Sequence, residues 1–146
     1  MTNKICIKIK KISDKAVLPK YAHEGDAGMD VFSTMDVVIA PGKTALISTG
    51  IALEIPSGYE IQVRPRSGLA LKKSITVLNA PGTIDSGYRG EIGVILINHG
   101  KTSFYVNQGM KIAQLVAAKY ETIQLIESDS LCESDRQING FGSSGV

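Results

Sequence analysis

The densest run of chemically capable residues in this 146-residue chain is Asn79-Ala80-Pro81-Gly82-Thr83-Ile84-Asp85-Ser86-Gly87-Tyr88-Arg89-Gly90-Glu91. Asp85 and Tyr88 stand three residues apart in it, a pairing that could supply a base and a stacking wall. Its glycines let backbone approach a ligand closely. The same residues also fit a polar hairpin with Asp85 in a turn and Tyr88 in the core. A second run, Arg64-Pro65-Arg66-Ser67-Gly68-Leu69-Ala70, reads as the end of a strand and the start of a helical turn over Ser67 to Lys73, capped by Ser67. Free N–H groups, the Ser67 hydroxyl and nearby guanidiniums suit phosphate; a capped surface helix with solvated arginines fits equally. Gly140-Phe141-Gly142-Ser143-Ser144-Gly145 offers exposed N–H groups and two hydroxyls that could cradle an anion, or a flexible Gly/Ser tail. It lacks the Gly-Lys-Ser/Thr ending of a Walker A loop. Gly25-Asp26-Ala27-Gly28-Met29-Asp30, taken alone, is a hydrophilic loop. Cys6 and Cys132 form no CxxC pair, and His23 and His99 stand alone, so neither a disulfide, a protein-bound zinc nor a histidine triad is expected.

The elements that must position these groups read as strands. Ile5, Ile7 and Ile9 alternate with Lys4, Cys6, Lys8 and Lys10, which predicts a half-buried strand with the isoleucines on one face. Further strands are predicted at 36–39, 44–48, 60–64, 75–78, 92–98, 103–106 and 112–117. Turn signals such as Pro41-Gly42, Pro56-Ser57-Gly58 and His99-Gly100-Lys101 separate them. Close spacing without intervening helical patterns argues an all-β sandwich or barrel with one short helix. After about Leu125 the composition turns to Glu, Ser, Asp and Gly, so a domain over 1–126 and a flexible C-terminal tail over 127–146 are expected.

Composition bounds the function. A chain that is 43% hydrophobic, with 16 Lys+Arg against 14 Asp+Glu, fits one soluble domain. A net charge of +2 is too small to drive nucleic-acid binding by charge alone. No stretch approaches the ~20 apolar residues of a membrane span, and MTNKICIKIKK lacks the apolar run of a signal peptide, so a cytoplasmic location is expected.

Together with Gly109-Met110-Lys111-Ile112-Ala113-Gln114-Leu115 and Arg136, these segments resemble one family, the trimeric dUTP diphosphatases (dUTPases). The likeness runs from about Ala22 to the last residue, with five segments in that family's order. Its most specific part is Pro-Arg-Ser-Gly-Leu-Ala followed by Pro-Gly-Thr-Ile-Asp-Ser-Gly-Tyr-Arg-Gly. The resemblance implies a jelly-roll subunit in a homotrimer with active sites at subunit interfaces. It implies Mg²⁺-assisted hydrolysis of dUTP to dUMP and pyrophosphate, which limits uracil incorporation into DNA and supplies dUMP for dTMP synthesis.

Carried over residue by residue, the resemblance makes Asp85 the base for the attacking water and Tyr88 the wall that rejects a 2′-hydroxyl. Asn79 and the backbone of Gly82, Thr83 and Ile84 would read uracil, with Phe141 stacking over it. Arg66, Ser67, Gly68, Gln114, Arg136, Gly142, Ser143 and Ser144 would bind phosphates, and Asp30 would order that region. The metal would be held by triphosphate and water, with Asp30 at most in its water shell. Gln137, Asn139, Ser143-Ser144 and Met110 depart from the family's commonest residues and bear on the dynamics of the tail.

Two rivals are weighed beside this reading. A dCTP deaminase of the same fold would need a second Ser after Arg66-Ser67 and a glutamate where Val94, Ile95 and Leu96 stand. A dUTP-binding regulator would have no need of Asp85.

Overall fold

Alternation of apolar and polar residues builds the strands. Along Glu91–Asn98 the side chains of Ile92, Val94, Leu96 and Asn98 are buried while Glu91 and Gly93 face outward. In the computed structural model, residues 4–145 are described. Strands occupy Lys8–Lys11 (β1), Met29–Phe32 (β2), Val37–Ile39 (β3), Thr44–Glu54 (β4), Tyr59–Arg64 (β5), Ile75–Val77 (β6), Gly82–Ile84 (β7), Glu91–Asn98 (β8), Phe104–Val106 (β9) and Lys111–Lys119 (β10), with the helix Ser67–Lys73 (α1) between β5 and β6. All pairings are antiparallel. One sheet runs β1-β4-β8-β6, the second β2-β10-β5-β7, and β3-β9 forms a small ribbon. The architecture is all-β and of the jelly-roll type. Val31, Ile47, Ile51, Ile75, Ile92, Val94, Leu96, Ile112 and Ala113 lie at its centre. Branched aliphatics fill this core, which is how the fold forms with so few aromatic residues.

Three local outcomes differ from the sequence expectation. Strand β1 begins at Lys8 rather than near Lys4, and Ile5 and Ile9 are exposed, because β1 lies at a sheet edge and its residues are all exposed. The helix start is capped at Arg66, in extended conformation, without any side-chain cap bond; Ser67 is the first helical residue, so its hydroxyl is left uncommitted. Strands β2 and β7 lie where no strand is expected, because β2 begins inside the Gly25–Asp30 run that reads as a loop and β7 opens on the Pro81-Gly82 turn signal.

The 79–91 segment is a hairpin with an excursion. Its leading strand β6 and returning strand β8 pair, with Val77 opposite Leu96. Between them the chain crosses to the other sheet, where Gly82–Ile84 pairs with β5. A bulge in β4 anchors the returning end: pairing with β8 shifts register between Ser48 and Ala52. There Gly50 adopts φ +67, and its N–H donates to Glu91 Oε1 at 2.8 Å. The Ser48 hydroxyl donates to the same oxygen.

Candidate active site

Three strand and helix segments converge on a polar cavity of about 430 Å³. It is lined by Asp30 of β2, Arg66, Ser67 and Gly68 at the start of α1, and Lys111 and Gln114 of β10, with the 22–28 loop closing one side. Asp30 is the pivot. One of its carboxylate oxygens meets Arg66 Nε at 3.4 Å and the other meets Lys111 Nζ at 3.0 Å. Arg66 and Lys111 present cationic N–H donors suited to an anion, while Asp26 on the loop side, with Asp30, balances their formal charge. The Gln114 amide nitrogen donates to the Pro65 carbonyl at 2.9 Å, which retains its second N–H for a ligand. Gly28 makes that pose possible, since a Cβ there would overlap the Gln114 amide oxygen.

Asp85 and Tyr88 lie in a turn closed by the Tyr88 N–H donating to the Asp85 carbonyl at 3.1 Å. Both side chains are exposed, so Tyr88 is not a core residue. Upstream, Asn79 and Thr83 are exposed while the Gly82 and Ile84 side-chain positions are buried, so those two positions can offer a ligand only backbone. Strand β7 pairs on one side only, which leaves donors and acceptors of its other edge free. The Ala80-Pro81 peptide is cis. Ala80 and Pro81 line a second cavity of about 550 Å³ with Ser67, Gln114 and Arg64, so the base of this segment adjoins the first cavity. Asp85 and Tyr88 line neither cavity.

The residues beyond Lys119 form no strand or helix among those described. Arg136 Nε donates to the Asn139 carbonyl at 2.8 Å, and the Ser143 N–H donates to the Gly140 carbonyl at 3.1 Å. Phe141 is fully exposed, with φ +49. One chain thus carries its predicted site residues as three patches: Asp30, Arg66, Ser67, Gly68 and Gln114 together; Asn79 to Tyr88; and Arg136 to Ser144.

A family profile described as dUTPase matches residues 14–145. The chain belongs to the dUTPase family. The chain is 61% identical over 140 residues to the deoxyuridine 5'-triphosphate nucleotidohydrolase of Alkaliphilus metalliredigens, covering 96% of this chain and 97% of that one. It is 59% identical over 139 residues to the enzyme of that name from Clostridium tetani, covering 95% and 96%. Among solved structures, the dUTPase of Staphylococcus bacteriophage 80alpha with dUPNHPP superposes with a TM-score of 0.91 at 30% identity, covering 98% of this chain and all of that one. A variant dUTPase of phage phi11 of S. aureus, whose structure describes the coordination of a structural Mg(II) ion, superposes at 0.81 with 28% identity over 86% of this chain.

Within this dUTPase fold, sequence reasoning missed two contributors. Lys111 stands in the Gly109 to Leu115 segment that carries the resemblance, just before the predicted 112–117 strand, but no site role attaches to it there. Tyr120 follows β10, and its phenol accepts from the Gly58 N–H at 3.3 Å. A hydrogen bond with Ser86, and next that Gly58 amide, hold its pKa below the ordinary tyrosine value, while the Asp85 charge opposes this. No sequence spacing could have brought Tyr120 to the Asp85 turn, since the contact joins two sheet ends.

Proposed function

We propose that this chain hydrolyses dUTP to dUMP and pyrophosphate. The observation that carries the reading is that the chain holds both a polar cavity in which Arg66 and Lys111 flank Asp30 and a free-edged strand, β7, leading directly into Asp85. The first suits a triphosphate, the second suits a planar base edge. Arg66, Ser67, Gly68 and Gln114 bind phosphate oxygens. Asn79 and the β7 backbone pair with uracil, and a cytosine there would leave buried groups unmatched at ~1–3 kcal/mol each.

In the reaction, Asp85 accepts a proton from a water as its oxygen bonds to the α-phosphorus. The bond from that phosphorus to the bridging oxygen breaks in line, and pyrophosphate departs with the electron pair. Tyr88 packs against deoxyribose where a 2′-hydroxyl would project. The 127–146 arm closes over the substrate, with Arg136, Gly142, Ser143 and Ser144 on the terminal phosphate and Phe141 over the base.

The donor set bears on the metal. Among the described residues no group of three or more His, Cys, Asp or Glu side chains is assembled, and Asp30 is already matched by two cations. That fits Mg²⁺ arriving on the triphosphate with its water shell, not a protein cage. Bound so, the ion neutralises charge on the pyrophosphate.

The assembly we propose is a homotrimer in which the cavity, the Asp85 segment and the arm at each site come from different subunits. Its support is that Asp85 and Tyr88 line neither cavity of their own chain, together with an outward apolar position on the first sheet, where Leu46 is 65% exposed opposite Ile95. Among the described residues no helix is long and apolar enough to cross a membrane. The cytoplasm, where deoxynucleotides are made and used, is the compartment that fits this substrate.

The test is product analysis with dUTP, dCTP, dTTP and UTP in the presence of Mg²⁺. The reading expects dUMP and pyrophosphate from dUTP alone. Release from all four alike, or none from dUTP, would defeat it, and dUTP formed from dCTP would point to deamination.

A further inference from the structure

Gly90 follows the Asp85–Tyr88 turn, and its φ lies outside the left-handed region, so backbone conformation does not reserve the position for glycine. A side chain does. A Cβ at position 90 would overlap the Tyr88 phenolic oxygen and come within 2.6 Å of Cζ and 3.0 Å of Cε2. The Tyr88 ring thus occupies the space that Gly90 leaves open. Gly87, in the same turn, has nothing within 4 Å of its missing Cβ.

The ring is held from two further sides. Its hydroxyl donates to the Glu91 carbonyl at 2.9 Å. The backbone beneath it is braced by Arg89, whose Nη1 donates to the Ser86 carbonyl at 2.7 Å and the Tyr88 carbonyl at 3.2 Å. With the turn fixed, the notch at Gly90 and the Glu91 carbonyl settle the ring's rotamer, and Tyr88 remains 47% exposed toward a ligand.

We infer that Gly90 is a specificity-determining position: by lacking a side chain it seats the Tyr88 ring at the depth that separates deoxyribose from ribose nucleotides. The inference rests on the dUTP reading of the site. One added oxygen distinguishes UTP from dUTP, so the wall must be located to within about 0.5 Å. A methyl group in the notch would displace the ring by more than that. Gly90 acts through Tyr88 and is a positioning residue.

The experiment is a double-mutant cycle on the ratio of kcat/KM for dUTP to that for UTP, in the unaltered protein, Gly90→Ala, Tyr88→Ala and the double variant. Gly90→Ala should lower the ratio by about tenfold to a hundredfold. In the Tyr88→Ala background the same change should leave the ratio where Tyr88→Ala put it, because no ring remains to displace. An unchanged ratio in Gly90→Ala, or an equal fall in both backgrounds, overturns the inference. Should Gly90→Ala fail to fold, recovery of folding in the double variant supports the seat, and an unfolded double variant overturns it. Absence of dUTP hydrolysis by the unaltered protein would defeat the underlying reading instead, so the two failures are distinguishable.

Discussion

Asp85 and Lys111 make opposite kinds of contribution, and kinetics can separate them. Asp85→Asn keeps the size and polarity of the side chain but cannot take a proton, so kcat should fall by ~10²–10⁴ with dUTP binding retained. Unchanged turnover would remove Asp85 from the chemistry. Lys111 sits 3.0 Å from Asp30 in the polar cavity. Lys111→Met removes one charge-assisted contact, and KM for dUTP should rise by about tenfold or more while kcat changes less. Of the cavity's residues, Arg66, Ser67 and Gln114 were legible as motif letters. Lys111 stands in a motif segment too, but its role was not legible, because nothing local shows that the fold turns it toward Asp30. Charge matters less at the surface. The Lys8 ammonium, by hydrogen bond and then by charge, holds the Glu54 carboxyl below its ordinary value of 4.5, with Arg89 contributing least. A depressed folded-state pKa gives stability that is present above the unfolded value and lost as pH falls through the folded one. Glu54→Gln should therefore remove a small acid-side slope from the melting temperature followed down through the carboxylate range. Both groups are well exposed, so little should change at neutral pH.

At the scale of elements, two polar side chains hold the strand ends that carry the site. Glu91 satisfies the Gly50 N–H of the β4 bulge and the Ser48 hydroxyl, which ties the start of β8 and the end of the 79–91 segment to the sheet. Glu91→Ala should cost about 1–3 kcal/mol in denaturant unfolding, because the bulge amide loses its partner. Asn98 ends the same strand fully buried: its amide donates to the Ile39 carbonyl at 2.8 Å and the Thr102 carbonyl at 2.9 Å, and accepts from the Gly100 N–H. Asn98→Ala strands all three groups and should cost roughly 3 kcal/mol or more in the same measurement. Eight of the strands were readable from apolar runs between turn signals. Strands β2 and β7 were not, because they start among loop and turn residues, Gly28 to Asp30 and Pro81-Gly82, and pairing with a neighbour supplies what local pattern cannot.

For the whole molecule, the arm and the assembly are the points to test. Among the described residues, the hydrogen bonds of 121–145 run within that segment. Ending the chain at Ile126 should leave the melting temperature within a few degrees, yet reduce dUTP turnover by about a hundredfold or more, since closure over the substrate is lost. Light scattering should give a particle of three 15.6 kDa chains, and one of three correspondingly shorter chains after the truncation. By itself the sequence determined the all-β class, the single short helix and the motif segments that mark the family. Those follow from local periodicity and from the order of residue types along the chain. Only the tertiary structure decided that Asp30 bridges Arg66 and Lys111, that Gly28 and Gly90 are notches under Gln114 and Tyr88, and that Tyr120 meets the Asp85 turn. Each of those contacts joins separate segments or depends on a side chain folding back, and distance in space is set by strand pairing, which no local spacing encodes.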